Sequence, residues 1–367
     1  MKPNIMSVYG IDLGSVYSSI AKMNKAGIPE VIYDNWDARS DIPSAVLITR
    51  DHEIIVGEDA REEIGIAPEP PALFFTRWIG LDRAEHPEMK HYAFCGKEYS
   101  PVELSAMVLK RIVHYAEEAG EEVRDVVITC PACFDPAQRD AVRQAGELAG
   151  LNVLAVVCAP LAIAVKYFSR FPDEDHMVLV YDLGGSAFDV TLLKYSAADG
   201  QKKVEIVNTD GSNFLGGTDW DERLYDILLQ KCEEYCRAEG RALEEEEKVG
   251  LRRTVEGAKM SLSYKKTVFA RTEAFGKLLK LEVTREEFEA ATADLVDKTF
   301  SMLNSVIADS GMSVDKIDRI LMTGGGVIMP MIRNRMYEWF DEKTILFEPQ
   351  QAVVMGAAML ADSYANN

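Results

Sequence analysis

Two stretches of this chain share one hydrophobic rhythm. Ile5-Met6-Ser7-Val8-Tyr9 is an apolar start that passes into Gly10-Ile11-Asp12-Leu13-Gly14-Ser15. Met177-Val178-Leu179-Val180-Tyr181 passes into Asp182-Leu183-Gly184-Gly185-Ser186-Ala187. A second apolar run follows each: Ser19-Ile20-Ala21 in the first, residues 188–193 in the second. Apolar runs bounded by glycine predict strands, so the pattern predicts two β-hairpins, each with an Asp-Leu-Gly turn at its tip. A third expected strand, Arg319-Ile320-Leu321-Met322-Thr323, runs into Gly324-Gly325-Gly326, followed by Met329-Pro330.

Between these strands the pattern predicts helices. Ser100-Pro101-Val102-Glu103 starts one, with Ser100 as N-cap, Pro101 in the first turn and Glu103 three residues after the cap. A strand is expected at residues 126–130 and a helix at about 136–149, closed by Gly150. Further helices are expected at residues 220–237, 244–262, 285–290 and 293–310. The run Glu244-Glu245-Glu246-Glu247 suits a solvated helix N-terminus, where acidic groups complement the dipole. The expected organisation is an α/β chain of two lobes. Residues 1–174 form the first, with an insertion at about 40–103 rich in turns and proline (Pro68, Pro70, Pro71, Pro87). Residues 175–349 form the second, with a largely helical insertion at about 214–292. The segment at about 350–367, helical to about residue 364, is expected to cross back and complete the first lobe.

Composition supports this reading. The chain of 367 residues suits more than one core, and 47% of it is hydrophobic. A net charge of −20 argues against a nucleic-acid partner, which requires a basic face. The longest apolar stretch, residues 153–165, is shorter than a membrane span and contains Pro160. No secretory signal is read at the start, and six scattered cysteines fit a reducing compartment, so a cytoplasmic location and no membrane partner are expected. Cys130-Pro131-Ala132-Cys133 has the spacing of a redox or zinc motif, but its strand-and-loop setting makes these cysteines ordinary structural residues on this reading.

The glycine turns carry the chemistry. Glycine admits positive φ, so consecutive N–H groups can point into one concavity that holds an anion. An aspartate beside such a nest repels phosphate unless a hydrated Mg²⁺ sits between them. Two such turns and a third glycine loop predict two related lobes closing on one polyphosphate.

The same residues carry a resemblance. Gly10-Ile11-Asp12-Leu13-Gly14-Ser15-Val16-Tyr17-Ser18, Tyr181-Asp182-Leu183-Gly184-Gly185-Ser186-Ala187-Phe188-Asp189 and Gly216-Gly217-Thr218-Asp219-Trp220-Asp221 resemble, in order, motifs of the nucleotide-binding domain of the seventy-kilodalton heat-shock (DnaK-type) chaperones. Ile42-Pro43-Ser44, Trp78-Ile79-Gly80, Val127-Ile128-Thr129-Cys130-Pro131-Ala132 and Met355-Gly356-Ala357-Ala358 also fall in that family's order. The resemblance implies the actin-like ATPase fold, a bilobal α/β architecture of duplicated ribonuclease-H-like lobes with inserted subdomains around a nucleotide cleft. It implies ATP or ADP as ligand with Mg²⁺, held through water by Asp12, Asp182 and Asp189, which are also the catalytic candidates. Gly14, Ser15, Val16 and Tyr17 then offer the first phosphate loop, and Gly185, Ser186 and Ala187 the second, with Gly217 beside them. Glu256, Lys259 and Ser263 match one side of the adenosine site, and Gly325, Gly326, Val327 and Ile328 the other.

Departures from the family pattern concentrate near the γ-phosphate. The glutamate associated with the attacking water is Ala159, the threonine of the second loop is Ala187, and Thr76 fills a lysine slot. The arginine that stacks on adenine in the family is Met260 here, and another in the third loop is Ile328. Met260 and Ile328 would sandwich a base by apolar contact, with less cation–π support. Hydrolysis needs positioned water and charge stabilisation, so binding is expected to outlast turnover. The expected function is an ATP-binding conformational switch with weak or absent hydrolysis, read by a co-chaperone or nucleotide-exchange partner. The alternatives are an active ATPase assisting folding with a separate partner, and an actin-like filament or scaffold protein. The last residues of the chain do not resemble the family's apolar linker, so no peptide-binding domain is expected in it.

Overall fold

The computed structural model describes residues 7–33, 39–67, 69–171, 173–197, 203–274 and 276–366. The expected first-strand residues Ile5 and Met6, and Pro68, lie outside the described residues.

Two sheets of one topology frame the molecule. In the first, Val8–Asp12, Tyr17–Met23 and Pro29–Val31 form an antiparallel meander. Asp125–Cys130 and then Asn152–Cys158 join in parallel on the other side of Val8–Asp12. In the second, His176–Leu183, Phe188–Ser196 and Lys203–Ser212 form the meander, and Arg319–Thr323 and Thr344–Leu346 join in parallel. The strand order is the same in both, counted from the third strand of each meander. His176–Leu183 reads as a continuous apolar run because both its faces are covered. Val178 and Val180 pack toward one core, Leu179, Tyr181 and Leu183 toward another.

The expected Asp-Leu-Gly turns are shifted: the first strand ends at Asp12 with the turn following from Leu13, and the second runs on through Asp182 to Leu183 with its turn beginning at Gly184. Ser100 caps the helix Pro101–Glu118 in a reciprocal box with Glu103. Helices also occupy Pro136–Leu148, Gly217–Ala238, Glu245–Leu262, Arg285–Ala291 and Ala293–Asp309. The segment at 214–292 is less helical than expected, because Thr267–Ala274 and Lys277–Thr284 form a hairpin. Its buried residues, Ala270, Thr272 and Ala274 on one strand and Leu279, Leu281 and Val283 on the other, alternate along each strand at the period of two. Residues 40–103 hold a small sheet of Ile54–Val56, Ala45–Ile48 and Ala72–Leu73, with a short helix Glu58–Glu62.

Two helices exchange partners between the sheets. Ala159–Phe168 follows the last strand of the first sheet, yet packs Ile163, Ala164, Tyr167 and Phe168 with Val178, Val180 and Leu321 of the second. Ala352–Ala365 follows the second sheet, yet packs Val354, Ala358 and Ala361 with Ala21, Val127 and Val8 of the first. The helices meet where a Cβ on Gly356 would lie 1.9 Å from the Ala162 carbonyl oxygen. A Cβ on Gly10 would lie 2.2 Å from the Ala358 nitrogen. Bare backbone at both points lets the crossing close.

Candidate functional site: a cleft of three glycine turns

The first hairpin turn is braced from below. The Gly14 N–H donates to Ser18 Oγ at 3.1 Å, and Ser44 Oγ donates to the Gly14 carbonyl at 2.7 Å. The Ser44 N–H donates to the Val16 carbonyl at 2.8 Å. A Cβ on Gly14 would stand 2.1 Å from the Tyr17 carbonyl, so the turn excludes any other residue there. Thr76 Oγ1 donates to Ser15 Oγ at 2.5 Å.

The second turn is closed by the Gly184 N–H to the Ala187 carbonyl, at 3.0 Å. The start of the helix Gly217–Ala238 holds it, with Gly217 N–H donating to the Gly184 carbonyl at 2.9 Å and Thr218 N–H to the Gly185 carbonyl at 2.7 Å. Arg77 donates to the Ser186 carbonyl at 3.1 Å and to Asp219 at 2.6 Å, binding loop and helix together. The two tips touch: a Cβ on Gly185 would sit 2.2 Å from Val16 Cγ2. The third turn packs on the same place, since a Cβ on Gly324 would sit 2.3 Å from the Leu183 carbonyl and 2.7 Å from Asp182 Oδ1. The three turns converge on one cleft of about 1690 Å³.

Three carboxylates face that cleft. Asp12 ends its strand between Ser19 and Thr129, and accepts from Thr129 Oγ1 at 2.6 Å. Asp182 is the penultimate residue of its strand, between Asp189 and Thr323. Asp189 accepts the Ala132 N–H at 3.0 Å and the Cys133 N–H at 3.3 Å. Burial pushes Asp12 and Asp189 up to about 6 from the ordinary 3.8, against the pull of these hydrogen bonds. Asp182 is raised well above its ordinary value by burial, then by the charges of Asp189 and Asp12. It has no hydrogen-bond partner among the described residues.

Glu256, Lys259 and Ser263 line the cleft from the helix Glu245–Leu262 and its C-cap. Glu256 and Lys259 bind other partners rather than each other. Glu256 pairs with Arg61, and Lys259 donates to Asp221 at 2.7 Å and to the Gly217 carbonyl at 2.8 Å. Gly325, Gly326 and Ile328 line the same cleft. Val327 does not: its side chain is fully buried in the core with Ile320 and Ile332, because the short turn Gly325–Ile328 directs it inward. The residues at the departure positions also line the cleft: Ala159, Ala187, Thr76 and Met260.

Sequence reasoning assigned no role to Arg61, which donates to Tyr17 at 2.5 Å and pairs with Glu256 across the cleft. Arg253 adds a bond to the Glu62 carbonyl at 2.9 Å. No local pattern marks such pairs. Ser44 and Thr129 lay within the quoted motifs Ile42-Pro43-Ser44 and Val127-Ile128-Thr129, which were the available signal. Cys130 and Cys133 are free, and burial raises both thiols, Cys130 to about 12. Among the described residues no group of three or more His, Cys, Asp or Glu is arranged to ligate a metal directly. No helix among them is long and apolar enough to cross a membrane.

Comparison with known proteins agrees with this architecture. The family model described as Hsp70 protein matches residues 8–366. The chaperone protein DnaK of Thermotoga petrophila is 37% identical over 365 residues, covering 96% of this chain and 59% of that protein. The DnaK of Thermotoga maritima gives the same figures, and that of Thermosipho africanus is 36% identical over 364 residues, covering 96% and 58%. The chain therefore spans under two thirds of the length of these relatives. With the family pattern running from the first described strand through the second crossing helix, the chain belongs to the Hsp70 family and has its actin-like ATPase fold.

Proposed function

We propose that this chain is an ATP-binding switch of the chaperone type, whose lobes close on Mg²⁺-ATP or ADP and whose hydrolysis is slow or absent. The observation that carries this reading is the convergence on one cleft of three glycine turns and three carboxylates, of which Asp182 is raised by the charges of the other two. Such a cluster of negative charge, with no cation bonded to Asp182, fits a hydrated divalent ion, and the backbone turns fit phosphate. Asp12, Asp182 and Asp189 would hold the ion through its waters, and the Gly14–Tyr17 and Gly185–Ala187 loops the phosphates. Bound Mg²⁺ would neutralise phosphate charge. On this reading residues 1–174 with the last helix form one lobe and residues 175–349 the other, and the two crossing helices form the hinge.

Slow turnover is supported by what faces the phosphates. Ala159 and Ala187 carry no proton acceptor or hydroxyl, and the Thr76 hydroxyl is engaged by Ser15. The second reading is an active ATPase, favoured by the retained Asp189 carboxylate in the cleft. Single-turnover phosphate release with saturating Mg²⁺-ATP separates them. Release at the rate of an intact family member would sink the slow-hydrolysis reading. A partner that reads lobe closure, a co-chaperone or nucleotide-exchange protein in the cytoplasm, belongs to the same proposal. Family membership weighs against the filament reading, and sedimentation with ATP tests it.

A further inference from the structure

Three successive carbonyls of the second glycine turn are pinned toward the start of the helix Gly217–Ala238. The Gly184 carbonyl accepts the Gly217 N–H at 2.9 Å, and the Gly185 carbonyl the Thr218 N–H at 2.7 Å. The Ser186 carbonyl has no backbone donor among the described residues. It accepts instead from Arg77, whose Nη2 lies at 3.1 Å and Nε at 3.3 Å. A trans peptide is planar, so its carbonyl and the N–H that follows point opposite ways. Pinning these carbonyls therefore turns the N–H groups of Gly185, Ser186 and Ala187 in the other direction. None of the three N–H groups has a hydrogen-bond partner among the described residues, and the turn lines the cleft.

Two of the pins are backbone, fixed by the helix itself. The third is a side chain, so it must itself be held. Asp219 accepts Arg77 Nη2 at 2.6 Å and the Gly216 N–H at 2.8 Å, which ties the guanidinium to the helix start. The Phe214 ring flanks the same guanidinium, with its centroid 5.7 Å from Cζ. Trp78 packs on Phe214 with ring centroids 4.7 Å apart. Trp78 is buried and ends the short turn Phe75–Trp78 that carries Arg77. An aromatic face suits a planar guanidinium, whereas a lysine ammonium is a rotating point charge that cannot span two acceptors in a fixed fork.

We propose that Arg77 is a positioning residue for phosphate, aiming the Ala187 N–H into the cleft, and that Phe214, backed by Trp78, holds the guanidinium in the plane this requires. The inference rests on the nucleotide-binding reading above and adds how the second turn keeps its shape. An N–H aimed in advance bonds a phosphate oxygen without reorganising. Without Arg77 the Ser186–Ala187 peptide is free to rotate, and that bond is the first to be lost.

The test is calorimetric titration of the full chain, with Mg²⁺, against ADP and inorganic pyrophosphate. Arg77→Lys keeps the charge but not the fork. It should weaken both ligands by a common factor of about tenfold, the worth of one charge-assisted hydrogen bond. Phe214→Leu keeps the arginine and the apolar bulk, and should weaken both by about two- to fivefold. Phe214→Tyr keeps the ring and should bind as the wild type does. The Arg77→Lys factor should persist between about 0.1 M and about 0.5 M salt, because a lost orientation is not screened. If Arg77→Lys fails to fold, Phe214→Leu against Phe214→Tyr carries the same comparison. Unchanged binding in Arg77→Lys overturns the inference and leaves nucleotide binding standing. So does a factor that vanishes at high salt, a loss for ADP alone, equal losses in the two Phe214 variants, or pyrophosphate that does not bind the wild type. Failure of both ligands to bind the wild type overturns this inference and the reading beneath it together.

Discussion

Replacing Asp182 by asparagine should stabilise the ligand-free protein while removing what Mg²⁺ adds to nucleotide binding. Asp182 stands opposite Asp189 on the neighbouring strand, and the charges of Asp189 and Asp12 both raise it. Asparagine keeps the shape and deletes one charge from this cluster. Asp12 and Asp189 are pushed to about 6 from 3.8, mainly by burial. A shift of roughly two units corresponds to at most about 3 kcal/mol per group at neutral pH. Asp182 is a buried carboxylate with no hydrogen-bond partner among the described residues, and leaving a buried polar group unpaired costs about 1–3 kcal/mol, so we expect about 1–3 kcal/mol from Asp182→Asn, a rise of about 1–4 °C in Tm.

The sign of the pH dependence follows from the same shifts. Below pH 3.8 these carboxyls are protonated in folded and unfolded chains alike, and contribute nothing. Between 3.8 and about 6 the folded chain holds more protons, so this contribution to stability falls as pH rises, and the full cost is present above about 6. The ligand-free wild type should lose stability across that window more steeply than Asp182→Asn. Mg²⁺ with ADP should protect the wild type most above pH 6. Thermal melts at pH 5 and pH 7.5, with and without Mg²⁺ and ADP, measure all of this. A lower ligand-free Tm for the variant, or Mg²⁺-dependent protection equal to wild type, would refute the reasoning.

Other consequences are as direct. Ala159→Glu should raise single-turnover ATP hydrolysis, within the ~10²–10⁴-fold that a positioned proton acceptor supplies. Ala187→Thr should help mainly in that background, and no gain in either variant despite normal ATP binding would count against the account. Gly356→Ala should cost about 3 kcal/mol in denaturant unfolding, because its Cβ would lie 1.9 Å from the Ala162 carbonyl in the helix crossing. A neutral effect would mean that the crossing is not closely packed. Among the six cysteines, Cys95 is exposed while burial raises the Cys130, Cys133, Cys158, Cys232 and Cys236 thiols. Brief alkylation at pH 8, followed by peptide mass mapping, should therefore mark Cys95 first; rapid labelling of Cys130 or Cys133 in the native chain would contradict the packing found there.

Much of the frame was legible because it repeats. The apolar runs ending in Asp12 and Asp182 predicted equivalent strands, and the strands Val8–Asp12 and His176–Leu183 hold equivalent places in their sheets. Helix starts were legible where a side chain caps them, as at Ser100. The hairpin at 267–284 was missed although its alternation is plain, because strong helical signals on either side masked a period of two. Asp135, which caps Pro136–Leu148 through Gln138, was missed as well, although the capping pattern is local. In the site, residues within the glycine turns were legible and those joined only by the fold were not. Arg61 reaches Glu256 across 195 positions of sequence, a pairing no local rule contains. Val327 shows the converse error, in which a motif neighbour is turned into the core by its own short helix.

The duplicated frame holds unequal chemistry, and on the proposed reading the inequality bears on which half a cation would favour. In both sheets an aspartate stands at or next to the end of the central strand with a threonine on the parallel neighbour, Thr129 beside Asp12 and Thr323 beside Asp182. On the antiparallel neighbour the halves differ, with Ser19 opposite Asp12 but Asp189 opposite Asp182. The first aspartate is satisfied by Thr129, whereas the Thr323 hydroxyl is buried without a partner and Asp182 has none to accept from. The second hairpin therefore carries the uncompensated charge, and a cation would relieve more strain there than at the first. The crossing helices tell a second, separate story. Ala159 opens the helix that packs on the second sheet and also lines the cleft, so on the proposed reading one residue would lie at both the hinge and the chemistry. On that reading an alanine there would keep the packing that closure needs while offering nothing to a reacting water. On the proposed reading, closure and hydrolysis are separable in this chain, and the sequence has kept the parts of the first and lost those of the second.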